Sequence, residues 1–189
     1  MDVKPLLQFL LNGSFNLLKT TIDDLSDEEW SSRPVPDANR FGFTVWHCAR
    51  TIDWAVNRVA RGGQELVESE EWSDLQPDGA AFGAGVSRDR ADAIVTEVTR
   101  QRAASYVDRL RSEVAGWFES VGSHELVHPV DLKAANSGRP DYLAPAVWAE
   151  IEDLDGIPLW QFLARPSVSH IRVHYGEVTA LLEAQRAQP

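Results

Sequence analysis

Apolar residues recur every three or four positions in several long stretches of this 189-residue chain. That spacing limits its fold more than any other feature. The first stretch, residues 5–25, carries the stripe Leu7, Leu11, Leu18, Ile22 and Leu25. Side chains spaced in this way share one face of an α-helix, whereas a half-buried strand would alternate apolar and polar residues. Since no segment alternates convincingly, the pattern predicts an all-α fold.

Three more long helices follow from the same periodicity. The second is expected from about Thr44 to Arg61, where Gly62 and Gly63 end it. The third should begin with Ser87 as its N-cap and continue to about residue 121, and the last should cover 167–186. Shorter helices are predicted near 145–152 and 157–165, because Pro145 and Pro158 suit a first helical turn.

Four main helices with long connections predict a four-helix bundle formed by a single domain over residues 1–189. The long loops are 62–86, between helices 2 and 3, and 122–166, between helices 3 and 4. Either loop could cross the bundle or fold over one end as a lid.

Charge and cysteine content exclude several classes of protein. The net charge of −11 argues against nucleic acid and anionic membranes as partners. The first apolar run is broken by Gln8 and Asn12 and is too short to span a bilayer, so a cytoplasmic protein is expected. Cys48 is the single cysteine, which leaves no intramolecular disulfide and no cysteine-based zinc site. A small-molecule substrate is the expected partner, and a homodimer is left open.

Histidines supply the main candidate for chemistry. His170 and His174 are four residues apart in the last predicted helix, so both imidazoles can face one point. His47, in the second helix, lies at the border of a charged face that holds Arg50, Asp53, Asn57 and Arg61. Three neutral imidazoles that leave a coordination position open suit a catalytic divalent metal ion. The alternative is that the pair flanks core packing and that His47 has no role.

A second pair of histidines also has this spacing. His124-Glu125-Leu126-Val127-His128 matches the HExxH pattern of zinc metalloproteases, which works only on a helix. Gly122 precedes it and Pro129 follows directly, and proline disfavours helical angles at the residue before it. We therefore interpret this match as incidental, and a metalloprotease is the last of the hypotheses.

The string His170-x-x-x-His174-x-Gly176-Glu177 resembles the last-helix signature of the DinB-like family. Val45-Trp46-His47 stands where that family has its third histidine, and a Leu-Ser-x-Glu-Glu-Trp turn follows helix 1. The chain departs from the family in having Glu177 in place of the commoner glutamine, and in a longer segment 122–166.

This resemblance implies an up-down-down-up four-helix bundle that holds Zn²⁺, Ni²⁺ or Fe²⁺ through His47, His170 and His174. Relatives include thiol S-transferases that use mycothiol or bacillithiol, and a mycothiol-dependent maleylpyruvate isomerase. The expected function is therefore a metal-dependent enzyme, a thiol-dependent S-transferase or isomerase acting on a small electrophile, with a low-molecular-weight thiol as cosubstrate. The alternatives are a metal-dependent hydrolase, a non-catalytic or stress-related metal-binding protein, and an interaction module whose histidines are incidental.

Other residues near the histidines have weaker claims. Glu177, one turn beyond His174, is the candidate catalytic residue for orienting a ligand or taking a proton. Cys48 is expected to be a small core residue, because adjacent positions on a helix point in different directions. Trp46 and Trp54 could wall a pocket but suit core packing, and Arg58 could meet a carboxylate of the substrate or pair with a neighbour.

Overall fold

A computed structural model describes residues 2–76, 81–137, 139 and 141–188. Within these ranges there is no named strand, and the single β-bridge joins Pro129 to Pro158. The all-α prediction is therefore confirmed. None of the described helices combines the length and apolar content that a membrane crossing requires.

The described residues form nine α-helices. They are α1 (Lys4–Asp24), α2 (Asp27–Ser31), α3 (Phe41–Asp53), α4 (Arg88–Glu97), α5 (Arg100–Ser120), α6 (Leu132–Ser137), α7 (Pro145–Ile151), α8 (Leu159–Ala164) and α9 (His170–Arg186). Two π-helical segments continue these helices: Trp54–Ala60 directly follows α3, and Arg165–Ser169 joins α8 to α9. Such segments are uncommon and often lie at functional sites.

The four longest helices, α1, α3, α5 and α9, form the packed body of the structure. Helices α1 and α3 contact each other, and each of them also contacts α5 and α9. The predicted stripe on α1 is buried in this core, with Leu11 and Ile22 each 1% exposed. The up-down-down-up order of these helices stays a prediction.

The third predicted helix is in fact two helices, α4 and α5. Val98 has an extended backbone, and the Thr99 side chain accepts a hydrogen bond from the Arg102 backbone N–H at the start of α5. The carbonyl of Val98 accepts instead from the buried indole of Trp30, at 3.0 Å. A continuous apolar stripe could not reveal this break, because the competing partner comes from a residue distant in the chain.

Helix α2 contains Trp30 of the Leu-Ser-x-Glu-Glu-Trp turn. A capping box begins it, because Ser26 and Glu29 each bond the other's backbone N–H. The Trp30 ring lies so close to Gly42 of α3 that a Cβ atom there would approach it to 2.5 Å. A side chain at position 42 would therefore displace Trp30 from α3.

Both long connections contain local structure. The first includes 3₁₀ turns at Leu66–Glu68 and Glu70–Leu75, which the sequence did not predict. The second contains α7 and α8, close to the two short helices predicted from Pro145 and Pro158. It also contains α6, which was not predicted.

Candidate metal centre

Three histidines from α3 and α9 meet at one point. The candidate ligand nitrogens of His47, His170 and His174 all lie within 4.8 Å of one another. The Nε2 atoms of His47 and His170 are 3.0 Å apart. The His174 ring centroid is 5.4 Å from that of His47 and 4.5 Å from that of His170. In the described part of the chain this is the one group of three or more such side chains with ligand spacing.

Helix geometry explains this convergence. His170 and His174 occupy successive turns of α9, so their rings point to the same side. His47 lies near the middle of α3, which packs against α9. Its side chain is buried more deeply than the sequence suggested, with 9% of the residue exposed.

Hydrogen bonds at the Nδ1 atoms orient two of the rings. His47 Nδ1 donates to the backbone carbonyl of Phe82 at 2.5 Å, and His174 Nδ1 donates to Glu177 Oε2 at 2.9 Å. These oxygens accept, so Nδ1 of each ring carries a proton and Nε2 is the candidate ligand atom. At the close approach of His47 to His170, a proton or a cation is needed between the two nitrogens.

Burial keeps the inner imidazoles neutral. It lowers the pKa of His47 to about 4, against the opposing effect of the Phe82 carbonyl. It also lowers the pKa of His170 to about 3, and the neighbouring imidazoles of His47 and His174 add to the effect. Near neutral pH both side chains are therefore neutral, and each has one ring nitrogen that carries no proton. Neutral imidazoles are the donors that Zn²⁺, Ni²⁺ and Fe²⁺ accept in proteins, so the three histidines fit such an ion.

A cavity of about 520 Å³ opens beside the histidines, and all three line it. This volume lies in the range typical of small-molecule sites. Its walls are largely aromatic and aliphatic, and Arg88, Glu150 and Arg165 supply charged groups. The aromatic wall is formed by Phe43, Trp54, Phe82 and Phe162.

The segment from Ala81 to Val86 holds one side of the cavity in place. Gly83 has a φ of +90°, and a Cβ atom there would lie 2.6 Å from the Trp46 ring. Glycine is required both by this backbone angle and by the close approach of the indole. The turn presents the Phe82 carbonyl to His47, while the Ala81 carbonyl accepts from Arg50 Nη2 at 3.0 Å.

Sequence comparison matches residues 11–153 to the family model of the DinB superfamily. This chain belongs to the DinB superfamily. The matched range includes His47 and ends before α9, so the last-helix pair is placed beside His47 by the structure. A search of curated proteins found no match.

The second histidine pair of this DinB-superfamily chain has the irregular conformation that Gly122 and Pro129 predict. Residues Glu125–Val127 form a single 3₁₀ turn, and His128 is extended, with φ −69° and ψ 148°. The His124 and His128 rings are 6.0 Å apart. A metalloprotease helix is therefore absent from this described segment.

Other predicted residues take the simpler of their two roles, with one exception. Cys48 is a buried core residue, and burial raises the pKa of its thiol. Trp46 packs in the core and donates to the Leu75 carbonyl, while Trp54 does line the cavity. Arg58 pairs with Glu68 at 3.7 Å and does not line the cavity.

Glu177 contacts the site only through His174. Its carboxylate accepts from His174 Nδ1, its side chain is 43% exposed, and it is not among the described residues that line the cavity. The contact fits the predicted orienting role. Direct proton transfer by Glu177 stays a prediction.

Sequence reasoning missed the charged groups behind the site. The charged face predicted on the second helix is covered by the first connection, so Arg50 and Asp53 are both 0% exposed. It also missed Phe82 and Arg165 as residues of the cavity. The glycines at positions 83 and 85 were the one sequence signal of a tight turn there.

Proposed function

We propose that this DinB-superfamily chain is a metal-dependent enzyme that binds a small molecule in the cavity beside His47, His170 and His174. The reaction we propose is thiol-dependent transfer to, or isomerisation of, a small electrophile. One observation carries the proposal: three imidazoles whose candidate ligand nitrogens lie within 4.8 Å of one another converge at the wall of a cavity of about 520 Å³. A carrier protein needs the three ligands but not the cavity.

The residues around the histidines suit this chemistry. A divalent ion bound there would lower the pKa of a coordinated thiol and so supply a thiolate near neutral pH. The Phe82 carbonyl and Glu177 keep the rings of His47 and His174 turned toward that point. The aromatic wall provides an apolar surface beside the histidines for the body of a small molecule.

Elemental analysis of the purified protein tests the metal centre. The wild type should retain close to one equivalent of divalent metal after gel filtration, and His47→Ala and His170→Ala should retain little. His128→Ala is the matched control, since it removes the histidine that follows the 3₁₀ turn outside the site. Equal metal content in all four proteins would overturn the proposal.

Turnover requires a separate assay. Wild-type protein loaded with Zn²⁺, Ni²⁺ or Fe²⁺ should couple a low-molecular-weight thiol such as mycothiol to an aromatic electrophile, and His170→Ala should not. Metal binding without turnover on a panel of thiols and electrophiles would favour a non-catalytic metal-binding protein. Ester hydrolysis without thiol would favour a hydrolase.

A further inference from the structure

The second π-helical segment places Arg165 on the same side of the helix as the two histidines of α9. The backbone N–H of His170 donates to the Arg165 carbonyl, so the arginine precedes His170 by one π turn. His174 follows His170 by one α turn, and all three residues line the cavity. In an uninterrupted α-helix a residue five positions away would point to another side.

Arg165 lines the cavity, and two acceptors hold its guanidinium while leaving its charge largely available. It donates to the Glu150 backbone carbonyl at 3.2 Å and to Asp153 at 3.4 Å. The Arg165 and Asp153 side chains are 49% and 72% exposed, and such exposed pairs contribute little. The neutral carbonyl therefore orients the guanidinium while leaving its remaining N–H groups free for a ligand.

The charges that line the cavity favour an anion although the whole chain is strongly acidic. The described lining residues include two guanidinium groups, those of Arg88 and Arg165, and one carboxylate, that of Glu150. Arg88 has partners of the same kind as Arg165, namely the Pro36 carbonyl and exposed Asp37, at 3.6 Å. Arg165 is distinguished from it by sharing a helical segment with the histidines.

Aromatic rings form much of the cavity wall. The Trp54 centroid lies 5.0 Å from that of Phe82 and 5.8 Å from that of Phe162. The Phe43 ring, which also lines the cavity, is parallel to the His47 ring, and their centroids are 6.1 Å apart. Such walls suit a flat apolar body better than a sugar or a polar chain.

From these features we infer that the cavity takes an organic anion with an apolar, ring-sized body. Arg165 binds the carboxylate of this ligand, and the opposite end of the ligand reaches the histidines. This inference rests on the proposed function, since the opposite end is the group that would meet the metal. It names the class of substrate or cosubstrate, and it makes Arg165 a specificity residue.

Two probes that differ only in having a carboxylate or a neutral carboxamide test the inference on the protein loaded with Co²⁺. They are 4-(sulfanylmethyl)benzoate and its neutral counterpart, 4-(sulfanylmethyl)benzamide. A thiolate-to-cobalt charge-transfer band reports that the sulfur has reached the metal, and titration of that band gives Kd. We expect the benzoate to bind at least about ten-fold more tightly than the amide, as a charge-assisted hydrogen bond would produce.

Variants of Arg165 and Asp153 test whether Arg165 produces this preference. Arg165→Met should bring the benzoate to the affinity of the amide, and Arg165→Lys should keep part of the difference. Asp153→Asn should tighten benzoate binding a few-fold, because it removes a competing carboxylate; a purely structural role for Arg165 would not produce that gain. Arg172→Met is the matched control, since Arg172 is on α9 but does not line the cavity.

The outcomes separate this inference from the proposed function. Equal affinity for the two probes, with a charge-transfer band for both, would overturn the substrate class and leave the metal centre standing. A benzoate preference that survives Arg165→Met would overturn the assignment to Arg165. Co²⁺ retained equally by the wild type and His47→Ala would instead overturn the metal centre.

Discussion

His47 and Arg50 are three residues apart on α3, yet Arg50 has its charged partners within the protein whereas His47 lies beside a cavity. Arg50 is fully buried and pairs with Glu65 at 2.9 Å and Asp53 at 3.3 Å. The Glu65 carboxylate also accepts from Arg139 and from Tyr142. His47 has one partner at Nδ1, and its Nε2 faces another imidazole at the edge of a cavity.

The difference separates a structural network from a binding site. Burial would by itself lower the pKa of Arg50, but the surrounding acidic groups hold that pKa well above its usual range. Asp53 also accepts from Tyr106 at 2.5 Å and from Asn57 at 2.6 Å, as well as from the backbone N–H groups of Leu66 and Val67. Of the three nitrogens in the Arg50 guanidinium, only Nε has no partner. Charges satisfied within the protein serve the fold, whereas imidazole nitrogens that face one another beside a cavity can bind a cation from outside.

The largest expected effect is on the network. Arg50→Met should lower the free energy of unfolding by about 3–5 kcal/mol, because Asp53 and Glu65 would stay buried without their cation. Urea denaturation of the metal-free protein measures it. The control is Arg109→Met, which removes an exposed pair with Glu113 and should cost less than about 1 kcal/mol. Equal costs would mean that burial does not distinguish the two arginines.

The next effect is on the histidines. A divalent ion at 100 times its Kd should raise the free energy of unfolding of the wild type by about 2.7 kcal/mol. His174→Ala should abolish that gain while changing the metal-free protein little, because the His174 side chain is partly exposed. Thermal unfolding with and without Ni²⁺ measures both quantities. If metal-free His174→Ala were destabilised as strongly as Arg50→Met, His174 would belong to the structural network.

A smaller effect is expected where the two regions meet. Gly83→Ala should cost about 1–3 kcal/mol, since φ is +90° and the new Cβ would meet Trp46. It should also weaken metal retention, because the same turn presents the Phe82 carbonyl to His47. Gly116→Ala, on an open face of α5, should instead stabilise by up to about 1 kcal/mol. Unchanged metal retention in a destabilised Gly83→Ala would show that the turn serves the fold alone.

The smallest effect is expected at the second histidine pair. His124→Ala and His128→Ala should each change stability by less than about 0.5 kcal/mol and leave metal content unchanged, because their segment is a single 3₁₀ turn near the surface. Elemental analysis and thermal unfolding check both. Loss of metal in either variant would contradict the distinction between the two pairs.

Those two pairs also show how far sequence reasoning reaches. Both have histidines four residues apart, and Gly122 and Pro129 were enough to exclude a helix around the first. Periodicity predicted the helix around the second, and it is present as α9. Local sequence was sufficient here because helix formation over a few turns depends mainly on near neighbours in the chain.

The sequence by itself determined the all-α class, the main helical stripes and the pair on α9, because periodicity and spacing are properties of each segment alone. Only the tertiary structure decided that His47 lies 3.0 Å from His170, across 123 positions of chain. It also decided the break at Val98, the burial of Arg50 and the position of Arg165 in the wall of the cavity. Each of these depends on contacts between residues distant in sequence, which no local pattern contains.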